Sequence, residues 1–254
     1  MNLCLDIGNT KVALAVFSGD KLIRLARMEH GGLLTHEGFF SYMEKVIGVR
    51  SIKKAAVVSV VPEMTKTVSG VIRELLAVNP LVIHARLLPG FRVSYRRPEQ
   101  LGADRLMNAF AAWKLYGGPA LVVDIGTAVT WDAVDARGVF RGGAIAPGPG
   151  LMIKALSERT AQLPEVVLKK SPLAAGRDTA ECIRSGVYWG TVGMIEELAR
   201  RITKELKIKP KLVLTGGLGP MFAPELKGWV SDPLLTLKGI NEVLTGIEIR
   251  EKKR

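Results

Sequence analysis

LCLDIGNTKVALAVF, residues 3–17, is an apolar strand that stops at an acid and a glycine turn and then resumes as a second apolar strand. Leu3, Cys4 and Leu5 lead into Asp6, and Val12 to Phe17 follow Lys11, with Gly8, Asn9 and Thr10 at the bend. The chain repeats the device in LVVDIGTAVTWDAV, residues 121–134. Asp6-Ile7-Gly8-Asn9-Thr10 matches Asp124-Ile125-Gly126-Thr127-Ala128, 118 residues later (124 less 6). In each half, hairpin strands are followed by helix, strand and helix, and VVSVVP (57–62) finds a counterpart in LVLTGG (212–217). An internal repeat of this size predicts two similar lobes. The boundary falls near residue 117, giving lobes 1–117 and 118–254, and a cleft between such lobes is where a ligand goes.

The pattern along the chain predicts strands over 2–6, 11–17 and 21–28, a helix over 36–48, and a buried strand over KAAVVSVVP (54–62) that Pro62 ends. A helix then runs to about Leu76, and PLVIHA (80–85) has the look of another strand. Residues 98–118 read as loop then helix, with Leu106, Ala109, Phe110 and Trp113 as an apolar stripe at helical spacing and Gly117–Gly118 as the stop. The series restarts with strands at 121–124, 129–135 and 139–145, helices at 149–161 and 178–207, and KLVLTGGLG (211–219) as a strand entering a glycine turn. LKGINEVL (237–244) is the last apolar stretch.

Composition narrows the class. The 254 residues are 48% hydrophobic and 24% charged, a globular balance. No run of eighteen or more apolar residues predicts a membrane helix, and the N-terminus reads as a strand, not a signal peptide. The two cysteines, Cys4 and Cys182, are no disulfide framework, and free thiols fit a reducing cytoplasm. The net charge of +12 is spread along the chain, densest in Arg250–Arg254, which reads as a frayed tail. Without a basic run interleaved with aromatics, nucleic acid is not the favoured partner. His30, His36 and His84 are scattered, with no pair at zinc-ligand spacing.

The repeated turn suits a phosphate. A glycine bend lets backbone N–H groups approach a ligand, Thr and Asn side chains add donors, and an Asp at the strand end is available to a cation. A single Asp-Ile-Gly turn is an ordinary structural signal; two in equivalent places, each ending an apolar strand, are not. Neither a P-loop nor a Rossmann fingerprint is present, because GGAIAPGPG (142–150) lacks the glycine spacing of the latter.

Two lobes with such turns and a late LTGG resemble the actin-like ATPase and sugar-kinase superfamily, an α/β fold of two duplicated ribonuclease H-like lobes with the active site in the cleft between them. DIGNT (6–10), SVVP (59–62), YRRPEQLGADR (95–105), VVDIGTAVTWD (122–132), GGAIAPG (142–148), GRDTAECIRSG (176–186) and LTGG (214–217) stand in the order of type III pantothenate kinase. The resemblance implies ATP and pantothenate as substrates and 4′-phosphopantothenate as product, the first step of coenzyme A synthesis. It implies an ATP phosphate loop of Asp6, Ile7, Gly8, Asn9, Thr10, Lys11, Val12 and Ala13, with Thr127 also at ATP. Asp6 would help place Mg²⁺, and Asp124 would bind the monovalent cation, K⁺ or NH₄⁺. Tyr95, Gly102, Ala103, Asp104, Arg105 and Thr179 would hold pantothenate, with Asp104 taking the hydroxyl proton. The resemblance further implies a cytoplasmic homodimer in which Thr179 serves the partner's site.

The chemistry of the residues agrees. Phosphoryl transfer needs positioning and charge neutralisation more than covalent help, and Arg105 beside Asp104 suits a bidentate grip on a carboxylate, which pantothenate carries. Each residue also has a structural reading. Asp104 and Arg105 read as a helix-start acid and a surface cation, Tyr95 as a packed strand aromatic, and Thr179 as a first-turn helix residue. At the level of function the alternatives are a non-catalytic regulator of the same fold, binding nucleotide or nucleic acid, and a sugar kinase.

Overall fold

Burial on both faces explains why the central strands read as continuous apolar runs. The computed structural model describes residues 1–29, 35–47 and 51–251. The elements, in chain order, are β1 (Asn2–Ile7), β2 (Lys11–Ser18), β3 (Lys21–Glu29), α1 (His36–Ile47), β4 (Lys54–Ser59), α2 (Pro62–Leu76), β5 (Leu81–Val82), β6 (Arg92–Val93), α3 (Ala103–Tyr116), β7 (Ala120–Ile125), β8 (Ala128–Val134), β9 (Val139–Pro147), α4 (Pro149–Arg159), α5 (Thr179–Leu206), β10 (Lys211–Thr215), α6 (Gly219–Phe222), β11 (Val230–Ser231) and α7 (Leu235–Glu251). The chain divides into two compact units, Met1–Lys114 with Leu235–Arg254, and Leu115–Leu234.

In the first unit the sheet order is β3-β2-β1-β4-β5. The β1–β2 and β2–β3 pairs are antiparallel, and β1–β4 and β4–β5 parallel. Leu3, Leu5 and Ile7 alternate onto one face of β1 and pack with Phe39, Met43 and Ile47 of α1 and Val68, Val71 and Ile72 of α2. Asn2, Cys4 and Asp6 fall on the opposite face by the same alternation. There Asn2 Nδ2 donates to Asn241 Oδ1 of α7 at 2.9 Å, and α7 packs on β1, β4 and β2. Complete burial pushes the Cys4 thiol well above its ordinary pKa, so it is an inert core residue.

The second unit uses the same order, β9-β8-β7-β10-β11, with β7–β8 and β8–β9 antiparallel and β7–β10 and β10–β11 parallel. Leu121, Val123, Ile125 and Trp131 pack against Tyr188, Val192 and Ile195 of α5, and Trp131 Nε1 donates to the Ile195 carbonyl at 3.3 Å. The two sheets bear out the predicted duplicated α/β architecture.

Some boundaries moved. The strand over 54–62 stops at Ser59, and Pro62 is the first residue of α2, where its fixed φ and missing N–H cost nothing. PLVIHA retains only Leu81–Val82 as strand. His30 and the tail beyond Glu251 lie outside the described residues.

Candidate active site

Each unit carries a turn after its central strand. In the first, Ile7 pairs with Val12 and Gly8 N–H donates to the Lys11 carbonyl at 3.0 Å, leaving Asn9, Thr10 and Lys11 exposed. Lys11 Nζ lies 3.7 Å from Glu29, an exposed pair. Asp6 and Gly8 are half-buried. Ile7 and Val12 have their side chains in the core, so only their backbone is free to meet a ligand; Ala13 faces Asp6 across the ladder.

The start of α3 lies against the same turn. Gly102 immediately precedes α3, and a Cβ there would sit 2.5 Å from Asp104 Oδ1 and 3.8 Å from Val60 Cγ1. Val60 N–H donates in turn to the Ile7 carbonyl at 3.1 Å. Gly102 therefore lies near both Asp104 and Val60, and the Val60 N–H is bound to the strand end that carries Asp6. Asp104 Oδ1 accepts the Arg105 N–H at 2.8 Å, the placement of a first-turn acid at the positive end of a helix. Arg105 is 7% exposed, which excludes the surface-cation reading. Tyr95, on the connection before α3, is 36% exposed.

In the second unit Gly126 N–H donates to the Ala128 carbonyl at 2.9 Å. Two further segments close on this turn. Gly148 N–H donates to the Thr127 carbonyl at 2.9 Å, and a Cβ on Gly148 would overlap the carbonyl oxygen of Gly126 and approach that of Thr127. Gly216, at φ +90°, is where a Cβ would overlap Asp124 Oδ1 and meet the Ile125 backbone. Leu218 N–H donates to the Ile125 carbonyl at 3.0 Å. Asp124 is half-buried and Thr127 exposed. Gly148 and Gly216 were absent from the candidate residues, although the strings GGAIAPG and LTGG held their signal.

Thr179 belongs to a third locus. It is the exposed first residue of α5, whose cap is Asp178, with Oδ1 accepting the Glu181 N–H at 2.8 Å. Gly176 presses on the backbone of Glu181 and Cys182, fixing the approach to that helix.

Among the described residues no three His, Cys, Asp or Glu side chains are grouped to hold a metal ion. Nor is any described helix long and apolar enough to cross a membrane.

A family model described as type III pantothenate kinase matches residues 2–201. A type III pantothenate kinase of Agathobacter rectalis is 38% identical over 96% of each chain. One of Gluconobacter oxydans is 39% identical over 94% of this chain and 91% of its own. A Baf family transcriptional activator of Campylobacter jejuni shares the fold, with a TM-score of 0.62 at 20% identity over 97% of this chain and 99% of its own. Spiroplasma citri MreB 5, solved with AMPPNP, does so with a TM-score of 0.52 at 12% identity over 99% and 98%. These likenesses bear out the actin-like fold.

Proposed function

This chain belongs to the type III pantothenate kinase family, and we propose that the residues gathered at its two turns and at the start of α3 carry out its reaction, the transfer of the ATP γ-phosphoryl group to pantothenate. The products are ADP and 4′-phosphopantothenate, which makes the protein the first enzyme of coenzyme A synthesis. The observation that supports this assignment most directly is the neighbourhood of Asp104, Gly102 and Val60, with the Val60 N–H bonded to the Ile7 carbonyl at 3.1 Å, which brings an acid at a helix start near the strand end of a phosphate turn.

In this reading Asp6 to Ala13 bind the ATP phosphates, mainly through backbone N–H groups and the Asn9 and Thr10 side chains. Thr127 contacts ATP from the second unit. Arg105 holds the pantothenate carboxylate, with Tyr95, Gly102, Ala103 and Thr179 completing that site. Asp104 accepts the proton of the pantothenate hydroxyl as its oxygen bonds to the γ-phosphorus and the bond to the ADP oxygen breaks. Oxygen donors suit both implied cations: Asp6 would hold Mg²⁺ and Asp124 would hold K⁺ or NH₄⁺. Bound there, the cations would neutralise phosphate charge, and one at Asp124 would balance a half-buried carboxylate.

The reading includes a cytoplasmic homodimer, with Thr179 reaching the pantothenate of the partner copy.

The deciding assay supplies purified protein with ATP, Mg²⁺, K⁺ and pantothenate and measures phosphopantothenate directly. Equal yields of ADP and phosphopantothenate are expected. ATP hydrolysis without phosphopantothenate, or no turnover, would remove the assignment.

A further inference from the structure

The terminal helix α7 follows the whole second unit in sequence, yet it is built into the first. It carries two buried polar anchors and one close approach. Thr236 Oγ1 donates to Asn108 Oδ1 of α3 at 2.7 Å, both residues buried. Asn241 accepts from Asn2 of β1 at 2.9 Å and donates to the Gly19 carbonyl at 3.0 Å. Between these anchors lies Gly239, where a Cβ would stand 2.6 Å from Ala111 Cβ and 2.8 Å from Met107 Sδ of α3. The two helices thus meet at a point where α7 has no side chain to spare.

Asn108 is one helical turn from Asp104 on α3, so the two share a face of that helix. A hydrophobic contact between helices tolerates sliding, whereas a buried hydrogen bond is directional and fixes register. The asymmetry between α3 and β1 matters here. β1 is held along both edges by the β2 and β4 ladders, which set its register. No ladder holds α3.

We propose that Thr236, through Asn108, is a positioning residue for phosphoryl transfer, setting the axial placement of α3 and so the distance from Asp104 to the hydroxyl it deprotonates. This rests on the reading of Asp104 given above. Asn2–Asn241 anchors α7 without setting the reacting geometry.

The test compares four variants of the full-length chain by steady-state kinetics and thermal melting. Thr236→Val keeps the side-chain shape and removes the donor. It is expected to lower kcat about 10-fold, since small misplacements of a reacting group are costly, with KM for ATP unchanged and the protein still folded. Thr236→Ser keeps the hydroxyl and should restore kcat. Asn2→Ala should lower Tm comparably but leave kcat alone, because it breaks the other anchor. Asp104→Asn runs in parallel. Should Thr236→Val fail to fold, Thr236→Ala removes the same donor without setting a methyl against the Asn108 oxygen, and carries the same expectation.

If Asp104→Asn cripples kcat while the folded Thr236 variant turns over like wild type, the positioning role is gone and the reading of Asp104 stands. If Asp104→Asn itself keeps wild-type kcat, the reading of Asp104 fails first. A fall in kcat shared equally by Thr236→Val and Asn2→Ala would reduce Thr236 to a stability contact.

Discussion

The two turns begin alike and end differently. Asp6-Ile7-Gly8 and Asp124-Ile125-Gly126 leave their strands in the same way, but Ile7 pairs with Val12 while Ile125 pairs with Val129. Gly8, Asn9, Thr10 and Lys11 fill the first bend; Gly126, Thr127 and Ala128 fill the second. The second turn is one residue tighter and has no equivalent of Lys11. Its surroundings are tighter as well. Gly148 and Gly216 press on its backbone at distances no side chain would allow, whereas the residues of the first bend are exposed beyond Gly8. The same motif therefore serves as an open loop in one unit and a clamped one in the other. In our reading the open loop binds phosphates, and the clamped one holds a cation.

The strongest way to break the comparison lies outside the turns. The first unit places Asp104 at a helix start near its turn, whereas the helix-start acid Asp178 of the second unit caps α5, so in our reading the chemistry resides in the first. Asp104→Asn is expected to cut kcat by roughly 10²–10⁴-fold while ATP affinity stays near wild type. The loose transition state of phosphoryl transfer favours the lower part of that range. A folded variant with wild-type kcat would move the base elsewhere, with Asp6 and Asp124 next to be tested.

The second prediction sets glycine against glycine. Gly216→Ala forces a side chain onto Asp124 from a backbone at φ +90°, and should cost about 2–4 kcal/mol of stability. A Cβ on Gly8 meets the Lys11 carbonyl oxygen only at 3.4 Å, so Gly8→Ala should cost no more than about 1 kcal/mol. Equal losses in denaturant melts would mean that the turns are equally confined.

A third experiment sharpens the proposed division between cations. Asp124→Ala should raise KM for ATP about 10-fold and weaken the response to added K⁺ together, because the cation offsets phosphate charge. Asp6→Ala should keep the K⁺ response. Wild-type activity that is identical with K⁺, Na⁺ or no added monovalent cation would remove this role from Asp124.

The smallest effect concerns the second unit alone. Burial, and then the neighbouring Glu225 carboxylate, push the Tyr188 hydroxyl up to about 12 from an ordinary 10.0. Its O–H donates to Glu225 Oε1 at 3.2 Å. A raised pKa means that the folded protein holds the proton longer than the unfolded chain does. The contribution is therefore complete below pH 10 and is lost as pH climbs through about 12. Tm of the wild type should fall a few degrees further than that of Tyr188→Phe over this window, and parallel curves would exclude the contribution.

Much of this was legible because it is local. Strand periodicity, the glycine bends, the apolar stripe of α3 and the repeat itself are written in adjacent residues, and they were enough for the architecture. The strings around Asp6, Asp104 and Asp124 likewise marked the candidate site. Local signals could not say that Val60 would lie near Gly102 with its N–H on the Ile7 carbonyl, or that Arg105, beside an exposed stretch, would be buried.

What the sequence alone determined, then, was the duplicated α/β plan and the strings that hold the proposed site residues, because turn type and hydrophobic period depend on neighbours along the chain. Only the tertiary structure decided that the second turn would be clamped and that the last helix would join the first unit. Those outcomes rest on contacts such as Asn2 with Asn241, 239 residues apart, and Asn108 with Thr236, 128 apart. Partners that far apart are chosen by packing and by the need to satisfy buried polar groups, and neither leaves a mark on the residues beside them.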